Sequence, residues 1–472
     1  MKFRVLSPAL GLLLIAPGNL LPAQQPTSQL STELRSKVDA AVQQVLQKTG
    51  VPSASVGIVE HGQIAYSAAY GQARIQPPIP ATPQMHYAIG SISKQFTTAC
   101  VLLLAQDGKL KLDDPVARWF PDLTDAGKVS VRNLLTHTSG YEDYAPQDYT
   151  IPAWTRPTRA IDIINLWAKK PLDFEPGTKW QYSNTNFVLA ALIVEKASGM
   201  PFWQFLQSRV LQPLHLTDVL NLNTDSARLE PQGYMRNALA PVRPAALEAP
   251  GWYFGDGDLA MPASDLLRWD ISIMNRTLLQ PASYDAFVNE MKLKDGSPTG
   301  YGLGVDVGTR SGHRFVAHTG EVGGFVAANA IYPDDEAAIV VLTNQEASSA
   351  ASSIARALEP LVLESAPASA ATESAAAQVR TILTGLQQGT VDRTLLTEDC
   401  SFYFSTTTLQ DFSGSLHPLG EIRSVTLRAE QLRGGMTFRA FDTTFANGTA
   451  VVVTTYTQPN GKLEQFLVEA KS

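Results

Sequence analysis

Residues 88–97 read AIGSISKQFT, so two serines and a lysine stand where a glycine-containing loop becomes an apolar run from Thr98 to Gln106. The pattern predicts a helix start, with Ser91 near the N-cap and Lys94 one turn later on the same face. One interpretation is an N-cap serine beside a surface lysine. The other is a nucleophile beside its base, because a partly desolvated lysine amine can take a serine proton. These ten residues alone leave both interpretations open.

Length and composition indicate a folded protein of two domains. The chain has 472 residues, 44% hydrophobic and 17% charged, with a net charge of -7. One ordinary hydrophobic core does not grow this large. The negative charge and the lack of a long Lys/Arg run argue against a nucleic-acid surface. We expect a small-molecule or peptide substrate, and the sequence makes no prediction of oligomeric state.

The N-terminus has the pattern of a secretory signal. Lys2 and Arg4 precede a mostly apolar stretch over residues 5–16, and Leu-Pro-Ala at 21–23 precedes Gln24. The apolar stretch is shorter than the roughly 18 residues that cross a bilayer. We therefore expect residues 1–23 to be removed, the mature protein to keep no membrane span, and its location to be secreted or periplasmic. Cys100 and Cys400 fall in different predicted domains, and we expect two unpaired thiols.

Composition divides the rest of the chain into a main domain over 24–365, a linker over 366–376 and a smaller domain over 377–472. The linker region reads ESAPASAATESAAA over residues 364–377. In the main domain, a helical pattern from Leu34 to Leu46 precedes two β-rich runs that flank His61-Gly62 as a hairpin. Further strands are predicted near 302–308, 325–333 and 337–344. Strands at both ends with helices between them indicate an antiparallel sheet of the α+β class.

The smaller domain is predicted to be α+β as well. Residues 376–389 have the pattern of an amphipathic helix, and strands follow, joined by turns at Asn447-Gly448 and Asn460-Gly461. This segment resembles the NTF2-like or SnoaL-like domains. Residues 400–416 and 433–441 could shape a pocket or form an ordinary core. Substrate presentation, dimerisation and docking to the main domain are all open as its role.

Two further short patterns carry compatible chemistry. Tyr182-Ser183-Asn184 stands in a loop just before an apolar helix, and such a tyrosine can relay a proton while the asparagine holds a substrate amide or the lysine. His318-Thr319-Gly320 closes a strand before Gly323-Gly324, where glycine lets a substrate approach the backbone closely. A buried tyrosine with a capping asparagine, and a plain glycine hairpin, explain the two patterns equally well when each is taken alone.

Taken in chain order, Ser-x-x-Lys, Tyr-x-Asn and His-Thr-Gly make residues 34–345 resemble the β-lactamase-related serine hydrolases. These are class C β-lactamases, D,D-peptidases, D-aminopeptidases and the family VIII esterases of the same fold. The stretches VRNLLTHTSGY (131–141), DLAMPASDLLRW (258–269) and YGLG (301–304) support the resemblance. It implies a penicillin-binding-protein or β-lactamase-like fold, in which helices flank an antiparallel sheet and a helical region completes the domain.

The resemblance also implies acyl transfer that needs no metal and no cofactor. Ser91 would attack the substrate, Lys94 and Tyr182 would move its proton, and water would then hydrolyse the acyl-enzyme. His137 would brace its loop. The implied substrate-binding residues are Asn184, His318, Thr319, Gly320 and Glu321, with the backbone N–H groups of Ser91 and Glu321 as the oxyanion hole.

One departure from the family pattern bears on the substrate. The β-lactamases and transpeptidases usually begin the third triplet with lysine, a permanent cation, whereas His318 is mostly neutral at pH 7. This favours an ester or a peptide-like amide over an anionic β-lactam or a D-Ala-D-Ala carboxylate. A β-lactamase, a carboxypeptidase and a slowly deacylating binding or sensor protein stay as alternatives. The aromatic loops 141–157 and 249–254 either line the cleft or cover the helical region.

Overall fold

The computed structural model describes residues 29–147, 149–238, 240–363, 370–433 and 435–471. The predicted signal segment 1–23 and part of the predicted linker lie outside these residues. Within them, the α-helices are α1 Thr32–Thr49, α2 Ser93–Gln106, α3 Val131–Leu135, α4 Ala160–Trp167, α5 Asn184–Ser198, α6 Phe202–Leu206, α7 Leu222–Asp225, α8 Ala263–Met274, α9 Pro281–Val288, α10 Ala350–Val362, α11 Ala370–Gln387, α12 Glu398–Tyr403 and α13 Thr406–Leu416. None of these helices is long and apolar enough to cross a membrane.

The strands of the described residues form two larger sheets and several short pairings. They are β1 Ser53–Glu60, β2 Gln63–Arg74, β3 Ile79–Pro80, β4 Tyr87–Ala88, β5 Leu220–Asn221, β6 Tyr234–Met235, β7 Arg243–Pro244, β8 Pro250–Tyr253, β9 Leu259–Met261, β10 Asp306–Arg310, β11 His313–Val322, β12 Phe325–Tyr332, β13 Ala337–Thr343, β14 Ile422–Arg433, β15 Met436–Phe445, β16 Ala450–Thr457 and β17 Leu463–Ala470.

A seven-stranded antiparallel sheet of order β10-β11-β12-β13-β1-β2-β3 is the frame of the main domain. Strand β1 from the start of the domain pairs with β13 from its end, with Val56 opposite Val341. Strands β1 and β2 form the predicted hairpin, because Glu60 pairs with Gln63 across His61 and Gly62, both at positive φ. The sequence prediction of a sheet built from both ends of the domain is confirmed.

Helices cover both faces of this sheet, which explains why its central strands are apolar without interruption. Successive residues of β13 point to opposite faces: Ile339 packs with Val38 of α1 and Ile354 of α10, while Val340 packs with Leu266 of α8. The second face continues into a helical region around α2 and α5. Phe96 of α2 stacks on Trp269 of α8, with ring centroids 4.3 Å apart. The start of α2 is therefore held between the sheet and the helical region.

The C-terminal residues form a separate sheet domain. Its four strands pair in chain order, β14-β15-β16-β17, and all pairs are antiparallel. The turns at Asn447-Gly448 and Asn460-Gly461 stand where the sequence predicts them, with both glycines at positive φ. Helix α11 begins at Ala370, inside the predicted linker. The core contains Val379, Leu383, Cys400, Phe404, Leu416, Phe441, Val453 and Phe466, so segment 400–416 contributes to it.

Candidate active site

Ser91 lies in a short 3-10 turn, Gly90–Ile92, that leads directly into α2. The side-chain cap that the N-cap interpretation requires is not made at the start of this turn or of α2. Ser91 Oγ instead lies 3.0 Å from Lys94 Nζ. Lys94 is fully buried, with 0% of its surface exposed. The structure therefore excludes the interpretation of a capping serine beside a surface lysine.

The amine of Lys94 has three contacts, and their chemistry orients it. Nζ donates to Asn184 Oδ1 at 2.7 Å and to the main-chain carbonyl of Asp256 at 2.8 Å. Both are obligatory acceptors, so they take two of the amine hydrogens. The third direction faces Ser91 Oγ. When Lys94 is neutral, its lone pair points at the Ser91 hydroxyl, which is the geometry of a general base.

Asn184 is held so that its oxygen faces Lys94. Its Nδ2 donates to Asp143 Oδ2 at 3.3 Å and to the Ala145 carbonyl at 3.2 Å, which leaves only the amide oxygen for the lysine. Its main-chain N–H also donates to Asp143, at 2.9 Å. The first residue of α5 is thereby tied to the loop after residue 141. This network positions Lys94 from the side opposite Ser91.

Burial shifts the pKa values of Lys94 and Tyr182 in opposite directions, which gives the two side chains different roles. Burial lowers the pKa of Lys94 to about 8, and the negative charge of Asp256 opposes this shift. Burial raises the pKa of Tyr182 well above its ordinary value, although a hydrogen bond with Ser91 acts in the other direction. Lys94 Nζ lies 5.0 Å from the centre of the Tyr182 ring. Near neutral pH a fraction of Lys94 is free to accept a proton, whereas the Tyr182 phenol keeps its own.

The third triplet meets the Ser91 turn through two glycines. A Cβ on Gly320 would lie 1.8 Å from the Ile89 carbonyl oxygen and 3.0 Å from the Ser91 nitrogen. Gly90 has a φ of +51°, and a Cβ there would lie 2.5 Å from the Glu321 nitrogen. Strand β11 can therefore approach the Ser91 turn only because neither position carries a side chain. The backbones of Ser91 and Glu321 lie side by side as a result.

His318 is buried and neutral. Its Nδ1 faces the Thr319 carbonyl, an acceptor only, so Nδ1 carries the proton and Nε2 accepts from the Tyr301 hydroxyl at 2.9 Å. Burial lowers the pKa of His318 to about 3, and the charge of Lys94 adds to that effect. The triplet therefore presents no cation to the cleft. Thr319, the next residue, is exposed.

These residues open onto one cleft of about 920 Å³. Ser91, Tyr182 and Asn184 line it together with the His318-Thr319-Gly320-Glu321 stretch. The structure thus brings all the predicted site residues together around this cleft, with Lys94 buried beneath Ser91. The aromatic loops 141–157 and 249–254 contribute both to the cleft and to the protein interior. Tyr149 and Tyr253 line the cleft, while Tyr144 and Trp154 are buried.

Sequence reasoning missed several groups that complete the site. The Asp256 carbonyl and the Asp143 carboxylate hold Lys94 and Asn184, and Glu248 and Glu346 form part of the cleft wall. The stretch DGD at 256–258, just before the family-like LAMP, was an available signal for Asp256. Nothing in the spacing of Glu248 and Glu346 connects them to Ser91, because their proximity arises only from the fold.

His137 braces its loop, as the resemblance implies. Its Nδ1 accepts the Ser183 N–H at 3.2 Å, and its ring lies 4.2 Å from that of Tyr182 between centroids. Burial lowers its pKa well below the ordinary value. Ser139 donates to Asn186 Oδ1 at 2.6 Å. Both residues hold the segment that carries Tyr182.

Comparison with known proteins places this geometry in a family. The family model described as Beta-lactamase matches residues 38–363. Penicillin-binding protein 4* of Bacillus subtilis (strain 168) is 31% identical over 304 residues, which cover 61% of this chain and 67% of that protein. Protein flp of Staphylococcus aureus (strain MRSA252) is 25% identical over 328 residues, which cover 67% of this chain and 64% of that protein. The similarity therefore spans about two thirds of these relatives' own length.

Solved structures show the same fold. A D-stereospecific amidohydrolase from Streptomyces sp. is 27% identical with a TM-score of 0.58, covering 67% of this chain and 96% of that one. A D-amino acid amidase from Ochrobactrum anthropi SV3, complexed with D-phenylalanine, is 22% identical with a TM-score of 0.63, covering 70% and 98%.

One structural likeness includes most of the chain. The octameric penicillin-binding protein homologue from Pyrococcus abyssi is 19% identical with a TM-score of 0.60 and covers 93% of this chain and 98% of that one. At this identity the likeness concerns the fold alone. The NTF2-like character of the C-terminal domain stays a prediction.

The family model described as Beta-lactamase spans more than half of this chain. The chain therefore belongs to the β-lactamase family, whose members are serine hydrolases that act through an acyl-enzyme.

Proposed function

We propose that this protein is an exported hydrolase that cleaves an ester or a peptide-like amide through an acyl-enzyme on Ser91. The observation that supports this most directly is the Lys94 amine. It is buried, two fixed acceptors hold it, and its remaining direction faces Ser91 Oγ at 3.0 Å. A neutral side chain could fill the same position at a lower free-energy cost, so this arrangement supports a chemical role for the lysine.

In the proposed acylation, Lys94 is the base and Tyr182 is the acid. Ser91 Oγ attacks the substrate carbonyl carbon, and its proton passes to Lys94 Nζ. The phenol of Tyr182 then protonates the leaving oxygen or nitrogen and regains a proton from the Lys94 ammonium. The raised pKa of Tyr182 means that the phenol is protonated at neutral pH, so a proton is available for the leaving group.

The proposed oxyanion hole consists of the backbone N–H groups of Ser91 and Glu321. The close approach of these two backbones, which Gly90 and Gly320 permit, supports it. Asn184 lines the cleft, but its amide is engaged with Lys94, Asp143 and Ala145. We therefore assign it to positioning Lys94 rather than to a direct bond with the substrate. Attack by water on the acyl-enzyme releases the acid and restores Ser91.

The neutral state of His318 supports a substrate that needs no cation at this position. Both ring nitrogens are engaged, one with the Thr319 carbonyl and one with the Tyr301 hydroxyl. A substrate carboxylate would find no permanent positive charge here. This favours esters and amides over β-lactams and free D-Ala carboxylates.

The test is steady-state hydrolysis of a short-chain nitrophenyl ester beside a chromogenic cephalosporin, by the mature protein and its Ser91→Ala variant. We expect ester turnover that Ser91→Ala abolishes, and little cephalosporin cleavage. Ser348→Ala is the matched control, because Ser348 lines the same cleft without contacting Lys94. Hydrolysis retained by Ser91→Ala would overturn the assignment of the nucleophile.

Other outcomes of these measurements would favour one of the alternative functions. Efficient cephalosporin turnover would indicate a β-lactamase despite His318. A stable adduct on Ser91, seen as a mass increase of the intact protein with negligible turnover, would indicate a binding or sensor protein. For export, intact mass should show a mature chain that begins at Gln24.

A further inference from the structure

The cleft that contains Ser91 is lined by acidic residues. Five carboxylates line it: Asp143, Glu248, Asp306, Glu321 and Glu346. No lysine or arginine lines it among the residues that the structure describes. The imbalance is stronger than the net charge of the chain suggests, because a net charge of -7 is spread over 37 basic and 44 acidic residues.

The charge of Lys94 acts to lower the pKa of Asp143, and the charge of Arg310 acts to lower that of Asp306, whereas no cation of the described residues does so for Glu346. Lys94 is buried and holds Ser91, Asn184 and the Asp256 carbonyl. His318 is neutral, because burial lowers its pKa to about 3. A carboxylate that is partly removed from water and has no cation nearby is costly in the free enzyme. For Asp306, burial outweighs the charge of Arg310 and raises the pKa to about 6.

Two of the carboxylates meet at one place, which we call the hairpin end: Glu248, Glu346, Tyr253 and the Gly323–Gly324 turn between β11 and β12. Both Glu248 oxygens accept the Gly323 N–H at 3.1 Å, and Glu346 accepts the Gly324 N–H at 2.7 Å. Thr150 Oγ1 donates to Glu248 at 2.7 Å. These neutral donors fix the two carboxylates in position but leave both negative charges in place.

No lysine or arginine of the described residues lines the cleft at the hairpin end. Glu346 is only 6% exposed, and burial, followed by the charge of Glu248, raises its pKa. Tyr253 lines the cleft, and burial raises its pKa, with further contributions from the charge of Glu248, a hydrogen bond to Glu248 and the charge of Glu346. A small neighbouring cavity is lined by Glu248, Tyr253 and Asp258. Asp258 is 3% exposed, its Oδ2 accepts from Asn223 Nδ2 at 2.9 Å, and its Oδ1 has no hydrogen-bond partner among the described residues. Glu248 and Glu346 thus lie together with neutral donors but with no lysine or arginine in the described lining of the cleft.

A metal ion is a poor candidate for this position. No group of three or more His, Cys, Asp or Glu residues within the described part of the chain is arranged to hold one. A protonated amine suits the hairpin end better, since it brings one charge and up to three N–H donors, and the Tyr253 ring can contribute a cation–π contact. The amine would also reach this position as part of a substrate that already occupies the Ser91 cleft.

We propose that the hairpin end binds a protonated amine of the substrate, with Glu248 and Glu346 as the charge partners. The preferred substrates are then esters or amides that carry an ammonium group and no carboxylate. This inference rests on the proposed function, because it concerns the substrate of the same Ser91 chemistry. It goes further by stating the charge of the substrate and the residues that select it.

The experiment uses three nitrophenyl esters of equal length: the hexanoate, the 6-aminohexanoate and the half-ester of adipate. With the full chain, we expect kcat/KM to be highest for the cationic ester, by about tenfold over the neutral one, and lowest for the anionic one. Glu248→Gln should remove most of the preference for the cationic over the neutral ester. Glutamine keeps an acceptor for the Gly323 N–H, so the turn should stay folded, which circular dichroism checks.

Controls separate this proposal from the proposed function. Glu33→Gln changes a carboxylate that is 79% exposed and does not line the cleft, so the preference should persist. Equal kcat/KM for the cationic and neutral esters, or a preference that survives the Glu248→Gln/Glu346→Gln double variant, would overturn the proposal.

If none of the esters is turned over, the proposed function fails and binding decides the charge proposal. Calorimetric titration of Ser91→Ala with hexylammonium and with hexanoate provides that measurement. Binding of hexylammonium alone, weakened about tenfold when Glu248→Gln is added, supports the amine site. Equal affinity for the two ligands, or no binding of hexylammonium, contradicts it.

Discussion

The Ser91 end and the hairpin end of the cleft both bury an ionisable group, but only one of them is complete within the chain. Lys94 is fully buried, and the protein supplies acceptors for its amine and negative charge from Asp256. Glu346 is also buried, yet among the described residues its side chain accepts from a backbone N–H, and the charge that adds to the rise of its pKa is that of another carboxylate, Glu248.

The difference teaches how catalysis and recognition use buried charge. At the Ser91 end, a complete set of partners fixes the lysine and adjusts its proton affinity before any substrate arrives, which is preorganisation. At the hairpin end, the uncompensated charge is a cost in the free enzyme that a cationic ligand would relieve. Three further predictions test whether catalysis at the Ser91 end and charge recognition at the hairpin end are independent of each other.

The largest effect is expected from Gly320→Ala, at the junction between the two ends. Its Cβ would lie 1.8 Å from the Ile89 oxygen, so the Ser91 turn has to move. We expect kcat/KM to fall by about 100-fold, because a displacement of roughly 1 Å at a nucleophile has effects of that order. The preference for a cationic over a neutral ester should persist, since Glu248 and Glu346 are unchanged. Steady-state kinetics with both esters measure the two quantities.

Gly127→Ala is the matched control, because a Cβ there would meet nothing within 4 Å and φ is not in the left-handed region. Its kinetics should match those of the unmodified protein. Activity of Gly320→Ala within twofold of the unmodified protein would contradict the close fit of β11 against the Ser91 turn.

A second prediction concerns the pH dependence of the Ser91 end. Lys94 acts as a base only when neutral, so kcat/KM for a neutral ester should rise with pH through an apparent pKa near 8. The charge of Asp256 raises the pKa of Lys94, so Asp256→Asn should lower it and move the rise to lower pH by about one unit.

The measurement is a pH profile of kcat/KM between about pH 5 and pH 10, a range that extends to both sides of the pKa of about 8 expected for Lys94. Asp295→Asn is the control, because Asp295 is a loop residue that does not contribute to the pKa of Lys94. If Asp256→Asn left the profile in place, the base would be a group other than Lys94.

The sequence predicts the residues of the Ser91 end better than those of the hairpin end, for a physical reason. Ser91 and Lys94 are three residues apart, and one turn of helix brings them together wherever that helix lies. Tyr182, Asn184 and His318 could be added because their chain order resembles a known family. The His61-Gly62 hairpin and the glycine turns of the C-terminal sheet also follow from local chemistry alone.

Long-range packing explains what the sequence did not show. Glu248 lies in the loop between β7 and β8, and Glu346 follows β13, so their meeting at Gly323–Gly324 depends on the fold of the whole domain. Asp256 holds Lys94 through its carbonyl, which any residue possesses, so only its place before the family-like stretch, and not its residue type, could have indicated that contact. Likewise Gly320 looks like an ordinary strand glycine until the distance to the Ile89 carbonyl is known.

The smallest effect is expected on stability, from Glu346→Gln. Burial raises the pKa of Glu346 in the folded protein, so ionisation costs stability, and this cost is absent at low pH and grows as pH rises above the ordinary range of a glutamate. Glutamine removes the charge and keeps an acceptor for the Gly324 N–H. We expect the variant to be more stable at pH 8, by about 0.5 to 1 kcal/mol or a Tm increase of about 1 to 3 °C.

Thermal unfolding at pH 8 and at about pH 4, where an ordinary glutamate is largely protonated, measures this effect, and the difference should vanish at the lower pH. Glu33→Gln removes an exposed partner of Lys37 and should leave Tm almost unchanged. A Glu346→Gln variant that is less stable at pH 8 would mean that the chain already supplies a positive partner for this carboxylate. The two ends of the cleft would then be alike, and the reason to expect a cationic substrate would be lost. A more stable variant that also loses its preference for the cationic ester would show that stability is given up at the hairpin end for the sake of binding.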